Sequence, residues 1–383
     1  MTTPRILQTR GACVESEHPA SAVAVRDGAP HGADTWTRVE PALDGYADAW
    51  ITSREEACEA HRSGTASDLL YEHRLACLSR GRSALDALVE VFEQADATVV
   101  EKAVSAVAGL PALSRCEDAE ALLARVEPPP EAIAVEVESL RERLARARSV
   151  EDAGRVGESE AAADEVLARA EQLEYHPLVA EALLRRGTAR LYEAKASEAD
   201  DDLGRAAFEA IAAGHDDVAA EAAARRIYVR SEQLGRPAEA EIELPWARAL
   251  VEHTHDDVLL GLFLHNGAAV EIRTGNLAMA RSLARQSLET RRRVLPPEDP
   301  EIALTLANLG RIERDLGDYG AAIETLREAA RVTEIALGAR HPQRAMLGSM
   351  LGTALLEHGN YEDARTELER ADAIYRESLG DRA

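Results

Sequence analysis

The sequence has few aromatic residues and no run of alternating β-branched side chains. Phe, Trp and Tyr make up 4% of its 383 residues, while Ala, Glu, Leu and Arg dominate. This composition argues against a β-sandwich or barrel and is typical of an all-α protein. The length exceeds one ordinary globular core, so it predicts either two domains or an elongated array of stacked units.

Basic residues are outnumbered, with 44 Lys and Arg against 69 Asp and Glu, and the formal net charge is −25. Sequence-independent binding to nucleic acids or to anionic membranes requires clustered Lys and Arg side chains. We therefore expect no nucleic-acid partner, and we expect the acidic excess to lie on solvated helix faces.

Long apolar runs are also missing. No stretch approaches the roughly eighteen consecutive apolar residues of a membrane span, and the N-terminal residues lack a signal-peptide core. We expect no membrane insertion and a cytoplasmic location. Residues 1–31 show no sustained periodicity, which predicts a flexible leader.

The chain has four cysteines, and all of them fall in its first third: Cys13, Cys58, Cys77 and Cys116. None has the CxxC spacing that would indicate a zinc or redox site. We expect free buried thiols in this chain.

Residues 32–127 predict a small helical domain. The segments "ADTWTRVEPALDGYADAW" and "SDLLYEHRLACLSRGRSALDALVEVFEQA" place apolar side chains at three- and four-residue intervals, as in amphipathic helices. The triple proline Pro128–Pro130 cannot continue a helix and predicts a boundary.

After the prolines, residues 131–383 are repetitive. "LGDYGAAIETLREA" is followed forty-two residues later by "HGNYEDARTELERA", with Gly310 matching Gly352 and Gly317 matching Gly359. A small residue inside a helix allows a second helix to come close, and a glycine after a helix suits a left-handed backbone. The pattern predicts about six stacked helix pairs, beginning near residues 131, 177, 216, 256, 300 and 342.

This residue pattern resembles the tetratricopeptide repeat, in the longer form found in arrays of kinesin-light-chain type. The resemblance implies a right-handed α-solenoid of helix pairs. The first three pairs depart from the pattern; for example, Pro237 stands where the repeat has Tyr.

The N-terminal runs, followed by the repeats, resemble the region after the catalytic domain of large bacterial serine/threonine protein kinases. That resemblance implies a sensor or partner-binding module, with a kinase or another effector as a candidate partner. If such modules lie outside the membrane, the resemblance also implies two disulfide bridges. Four cysteines can pair in three ways, and the implied pairing is Cys58–Cys77 with Cys13–Cys116. No glycine-rich phosphate loop or kinase catalytic loop is found, so we expect no enzyme.

The segment "HTHDD" at His253–Asp257 has a metal-like composition, but it falls in a turn between repeats. We interpret it as helix N-capping by Asp256 or Asp257, and we predict neither a metal nor a cofactor.

In a stacked array the first helix of each pair lines the concave side. We expect a partner-binding groove there, with basic and amide side chains suited to carboxylates and peptide backbone. The competing interpretation is that these arginines pair with Glu232 and Glu271, and that the Asn side chains satisfy helix ends. The predicted groove residues are Arg185, Arg225, Arg226, His265, Asn266, Arg273, Asn308, Arg311, Arg314, Ser349, Met350 and Thr353.

Together these features predict a non-catalytic adaptor or sensor that binds an extended or acidic segment of a partner protein. Two alternatives stay open: a regulatory fragment acting with a separately encoded serine/threonine kinase, and a scaffold that self-assembles through its end helices. The sequence specifies neither the partner nor the oligomeric state.

Overall fold

The structure is a computed structural model that describes residues 32–122, 126 and 128–379. All regular elements in this part of the chain are helices, which confirms the prediction of an all-α repeat solenoid. The predicted leader, residues 1–31, lies outside the described residues. The helices are α1 Gly32–Arg62, α2 Asp68–Glu93, α3 Ala97–Ala108, α4 Ala119–Leu122, α5 Glu131–Asp152, α6 Val156–Gln172, α7 His176–Tyr192, α8 Ala196–Ala212, α9 Asp216–Tyr228, α10 Pro237–Thr254, α11 Asp257–Thr274, α12 Leu277–Val294, α13 Pro300–Asp315, α14 Tyr319–Ala336, α15 Pro342–His358 and α16 Tyr361–Leu379.

The chain divides into two compact units, one ending at Arg185 and the other beginning at Arg186, within α7. The triple proline therefore marks a change of sequence pattern inside the first unit. Helix α5, which follows the prolines, packs against α2 and carries Glu138, whose carboxylate lies 2.5 Å from Arg80. The N-terminal helices and the first helix pair thus share one unit.

Helices α1, α2 and α3 enclose a core in the first unit. Val39, Leu88, Phe92 and Val99 are all buried in it. One segment of this unit, Ala97–Cys116, is long and apolar enough to span a membrane by length and composition alone. Within it, Val99, Val100, Ala103, Ala106 and Val107 of α3 are buried.

The cysteine bonding in this unit differs from both predictions. Cys77 on α2 and Cys116 in the 3₁₀ turn Leu113–Cys116 form a disulfide, with their Cα atoms 5.6 Å apart. The implied pairs Cys58–Cys77 and Cys13–Cys116 are therefore wrong, and so is the expectation of free thiols at Cys77 and Cys116. Cys58 is also disulfide-bonded, whereas Cys13 lies outside the described residues.

The position of the 3₁₀ turn explains the observed pair. Leu113 packs in a small core with Trp50 and Leu78, and the Tyr46 hydroxyl donates a 2.9 Å hydrogen bond to the Pro111 carbonyl. These contacts hold the turn over α2, where Cys77 lies. The sequence signal for α1 and α2 could not specify where a loop forty residues further along would dock.

The second unit is built from repeating helix pairs. The first helices of these pairs are α9, α11, α13 and α15, and their second helices are α10, α12, α14 and α16. Helix α8 is the second helix of the pair that begins with α7. Gly317 and Gly359 follow first helices with φ of 79° and 91°, in the left-handed region that favours glycine. The Cβ of an alanine at Gly310 would lie 2.6 Å from Leu326 Cγ, so the glycine permits the close packing of α13 on α14.

A π turn at Val229–Gln233 extends α9 and inserts an extra residue. Before it, the N-terminal caps His215 and Asp256 are forty-one residues apart; after it, Gly235 and Gly275 are forty apart. Equivalent positions in α9 and α11 therefore shift by one residue along the helix. This shift changes which residues of α9 are equivalent to the predicted groove residues of α11.

Candidate functional site

The exposed sides of α9, α11, α13 and α15 form what we call the first-helix surface. Polar contacts join its neighbouring helices. Asn266 Nδ2 on α11 donates to the Ala224 carbonyl on α9 over 2.8 Å, and Asn308 Nδ2 on α13 lies 3.2 Å from His265 Nε2 on α11. The first helices of successive pairs thus lie side by side and can present one continuous surface to a partner.

One row of equivalent positions crosses this surface, consisting of Tyr228, Ala269, Arg311 and Thr353. Successive members are forty-one, forty-two and forty-two residues apart; the first spacing is that of the caps His215 and Asp256, and the other two are those of the turn glycines Gly275, Gly317 and Gly359. The small side chain of Ala269 leaves room between Tyr228 and Arg311, which are both partly exposed. An aromatic ring and a cation therefore share the middle of the surface.

The electrostatics of Tyr228 show that this row is spatially connected. Burial raises the pKa of the Tyr228 hydroxyl, and the carboxylate of Glu232 and the nearby Tyr192 act in the same direction. The positive charge of Arg311 acts in the opposite direction on that pKa, so it lies within electrostatic reach of Tyr228 although two repeats separate them.

Arg311 differs from the other predicted groove arginines in having no partner. It forms no hydrogen bond or ion pair with any residue in the described part of the chain. In contrast, Arg314 lies 2.7 Å from Asp315, and Arg273 lies 3.8 Å from Glu232. The competing interpretation, that the groove arginines form salt bridges, therefore holds for Arg273 and Arg314 but not for Arg311.

Two of the predicted arginines do not lie on this surface. Arg226 Nε donates to Asp200 on α8 over 2.8 Å, and its guanidinium lies against Gly204 of the same helix. Arg185 belongs to the first unit, where it is buried and its Nη1 lies 3.0 Å from the buried Glu151 carboxylate. Their prediction as groove residues is corrected: both satisfy internal carboxylates.

The shifted register explains the error at Arg226. Counted from the helix caps, the residue equivalent to Asn266 is Arg225, which is one position earlier than the alignment on turn glycines gives. Arg225 is partly exposed and pairs with Glu221 on its own helix over 2.8 Å. It therefore lies on the first-helix surface with its charge already compensated.

The amide and imidazole at the centre of α11 are structural as well. Asn266 is buried and its Nδ2 is occupied by Ala224, so it does not present the free donor that we predicted. Burial of the imidazole, with a smaller effect from Arg291, lowers the pKa of His265 to about 3. His265 is therefore neutral and available to Asn308 as a hydrogen-bond partner.

The α15 part of the surface is largely apolar. The hydroxyls of Ser349 and Thr353 donate to carbonyls of their own helix, at 3.1 and 2.9 Å, and Met350 packs against the core. Met346 and Leu356 are 37% and 50% exposed. This end of the surface can bind apolar side chains of a partner.

The sequence prediction missed Tyr228, Met346 and Leu356. Tyr228 was missed because it falls in the same row as Arg311 only when the extra residue of the π turn in α9 is counted. Asp256, by contrast, caps α11 as predicted, because its carboxylate accepts from the amides of Val258 and Leu259. Among the described residues, no group of three potential metal ligands was found.

The comparison with protein families identifies the repeats. A family model of the tetratricopeptide repeat matches residues 260–335 and, overlapping them, residues 313–377. These ranges contain α13, α15 and most of α11, so this part of the chain is similar to the tetratricopeptide repeat. No curated protein matches the chain.

The chain is similar to several solved structures at low sequence identity. BtubC (BKLC) from P. vanneervenii is 16% identical, with a TM-score of 0.52 over 60% of this chain and 94% of that one. A STAND protein with a tetratricopeptide repeat sensor from Pyrococcus horikoshii is 14% identical, with a TM-score of 0.48 over 83% and 52% of the two chains. The apo form of RapI is 10% identical, with a TM-score of 0.46 over 90% and 99%. The similarity to BtubC supports the fold alone.

Proposed function

We propose that this protein is a non-catalytic protein-interaction module that binds an extended, acidic segment of a partner on its first-helix surface. The observation that carries the proposal is Arg311, a partly exposed cation without a carboxylate partner in the described part of a strongly acidic chain. A guanidinium can bind a carboxylate through two parallel hydrogen bonds.

The neighbours of Arg311 define the rest of the proposed ligand. Tyr228 offers an aromatic face and a hydroxyl, while Met346 and Leu356 offer apolar contacts. A suitable segment would carry Asp or Glu near its centre and an apolar side chain toward α15. For such a small contact we expect a Kd on the order of micromolar.

A peptide array tests the proposal without knowledge of the natural partner. Twelve-residue peptides that vary in the position of Asp, Lys and Leu are probed with the labelled full chain, the Arg311→Glu variant and the Arg331→Glu variant. Arg331 on α14 is a matched control, because it is exposed and also lacks a partner among the described residues. We expect acidic peptides to bind the wild type and the Arg331 variant but not the Arg311 variant. Equal binding to all three proteins would refute the assignment.

A second proposal concerns the cellular setting. The N-terminal resemblance supports a role beside a separately encoded serine/threonine kinase, which co-purification from the native cell tests directly.

The Cys77–Cys116 disulfide supports an oxidising compartment rather than the cytoplasm that we expected from the sequence. Labelling with a maleimide before and after reduction tests the compartment. Labelling of both cysteines without reductant would contradict it.

A further inference from the structure

The second unit carries exposed apolar side chains on two of its second helices. On α8, Phe208 is 72% exposed and Ile211 is 44% exposed; on α10, Ile242 is 79% exposed and Trp246 is 39% exposed. Single exposed apolar residues are common on protein surfaces, but a group of four on neighbouring helices is not.

The ion pairs of Arg230, in the π turn that extends α9, link α8 to α10. The guanidinium of Arg230 lies 2.7 Å from Asp200 on α8 and 2.6 Å from Glu243 on α10. The carboxylates of both helices thus contact one side chain. Both second helices are thus tied to the same residue of the π turn between them.

Helix geometry places the four apolar side chains on the same outer side. Ala199 and Ala240 are fully buried and occupy equivalent positions, three residues after the first residue of each helix. At about 100° per residue, the apolar side chains lie about 120–240° around the helix from these alanines. Along the axis, Phe208 and Trp246 are offset by three positions, or about 4.5 Å. We call the four residues the second-helix patch.

The surroundings of the second-helix patch are acidic. The arginines of these two helices, Arg205 and Arg248, are paired with Glu209 and Glu252. In contrast, Glu198, Asp201 and Glu241 are exposed and form no hydrogen bond or ion pair within the described part of the chain. Uncompensated carboxylates beside apolar side chains attract a partner that combines apolar groups with positive charge.

We infer that the second-helix patch is a docking surface for a basic amphipathic helix of a partner protein. Leucine-type side chains of that helix contact Phe208, Ile242 and Trp246, and its Lys or Arg residues face the surrounding carboxylates. A second copy of this chain would bring the same acidic groups together, and an anionic lipid surface would be repelled by them. The charge around the patch therefore favours the basic segment over both of these occupants. This surface is separate from the first-helix surface and has the opposite charge preference.

A defined probe tests this inference on the full chain. The probe is a fluorescent eighteen-residue helix of leucine and lysine with leucines on one face, and fluorescence anisotropy gives its Kd. We expect the Phe208→Ser/Trp246→Ser variant to weaken binding at least tenfold. We expect the Met279→Ser variant, which removes an apolar side chain 45% exposed on α12, to bind as the wild type does. Because all three positions are exposed, circular dichroism should show unchanged helix content.

Three outcomes would overturn the inference. The first is equal binding of the probe to the wild type and the Phe208→Ser/Trp246→Ser variant. The second is equal affinity for a matched probe with glutamate in place of lysine. The third is a concentration-dependent doubling of mass, seen by light scattering for the wild type and lost in the variant, which would show that a second copy occupies the patch. Binding of the lysine probe by Arg311→Glu is expected to be unchanged, so failure of the first-helix proposal would not affect this test.

Discussion

Substituting glycines inside the repeats tests how their helices pack. An alanine at Gly310 would place its Cβ 2.6 Å from Leu326 Cγ and 2.8 Å from Cδ2. The approach is to the branch point of a side chain that is 1% exposed, so Leu326 has no free space into which to move. Either the helices must separate or the leucine must leave its rotamer.

The expected change in the free energy of unfolding is the difference between two effects. Replacing a glycine by alanine within a helix gains about 1 kcal/mol of helix propensity. Overpacking a filled core costs about 1–3 kcal/mol. Since the clash at Gly310 is severe and its neighbour is enclosed, we expect Gly310→Ala to destabilise the second unit by about 1–2 kcal/mol.

Two other glycines provide matched comparisons. At Gly352 a Cβ would also lie 2.6 Å from a leucine Cγ, but that residue, Leu368, is 39% exposed and can rotate outward. We expect Gly352→Ala to stay within about 0.5 kcal/mol of the wild type. A Cβ added at Gly320 would have no atom within 4 Å in the described part of the chain other than those of its neighbours and its own helix backbone, so Gly320→Ala should be neutral or stabilising.

Urea unfolding of the full chain, followed by circular dichroism, measures these differences. Hydrogen exchange of the α13 and α14 amides shows whether the loss is local. If Gly310→Ala were as stable as Gly320→Ala, the close approach of α13 and α14 would be wrong, and with it the account of how the repeats stack.

Three further predictions concern charge, covalent bonding and pH. Arg226→Glu adds a carboxylate to an acidic network and should destabilise the fold by about 3 kcal/mol in urea, whereas Arg331→Glu should change stability little. Replacing Cys77 and Cys116 by alanine opens a bridge with a sequence separation of 39, which should cost about 4 kcal/mol by loop entropy, and an unchanged urea midpoint would contradict the bridge. The pKa of His265 is about 3, below the ordinary value of a histidine. As the pH falls, the imidazole is therefore protonated in the unfolded chain before it is protonated in the folded chain. Stability is then lost as pH falls below about 6.5, and by pH 5 the wild type should lose up to about 2 kcal/mol more than His265→Gln.

The repeat architecture could be predicted because it depends on short-range features. A glycine where helices cross, a glycine after the first helix and the Asp256 cap each have a local physical cause that is visible in the sequence. The starts of α13 and α15, at Pro300 and Pro342, agree with those predicted from the spacing alone.

The surface residues were harder to predict because they depend on long-range contacts. Arg226 and Arg311 look alike in the sequence. However, Asp200, twenty-six residues before Arg226, is bonded to it, and no carboxylate among the described residues reaches Arg311. The π turn in α9 also leaves no clear composition signal, although it moves each position of that helix relative to the next repeat. The partner of Cys77 depended in the same way on where a later turn docks.

The most direct test of the proposed function is a calorimetric titration of the tightest acidic peptide from the array. We expect Arg311→Glu to weaken its binding at least tenfold, or by about 1.4 kcal/mol, and Arg331→Glu to leave the Kd unchanged. Equal affinity of the wild type and Arg311→Glu for that peptide would show that the first-helix surface does not bind acidic segments through this side chain.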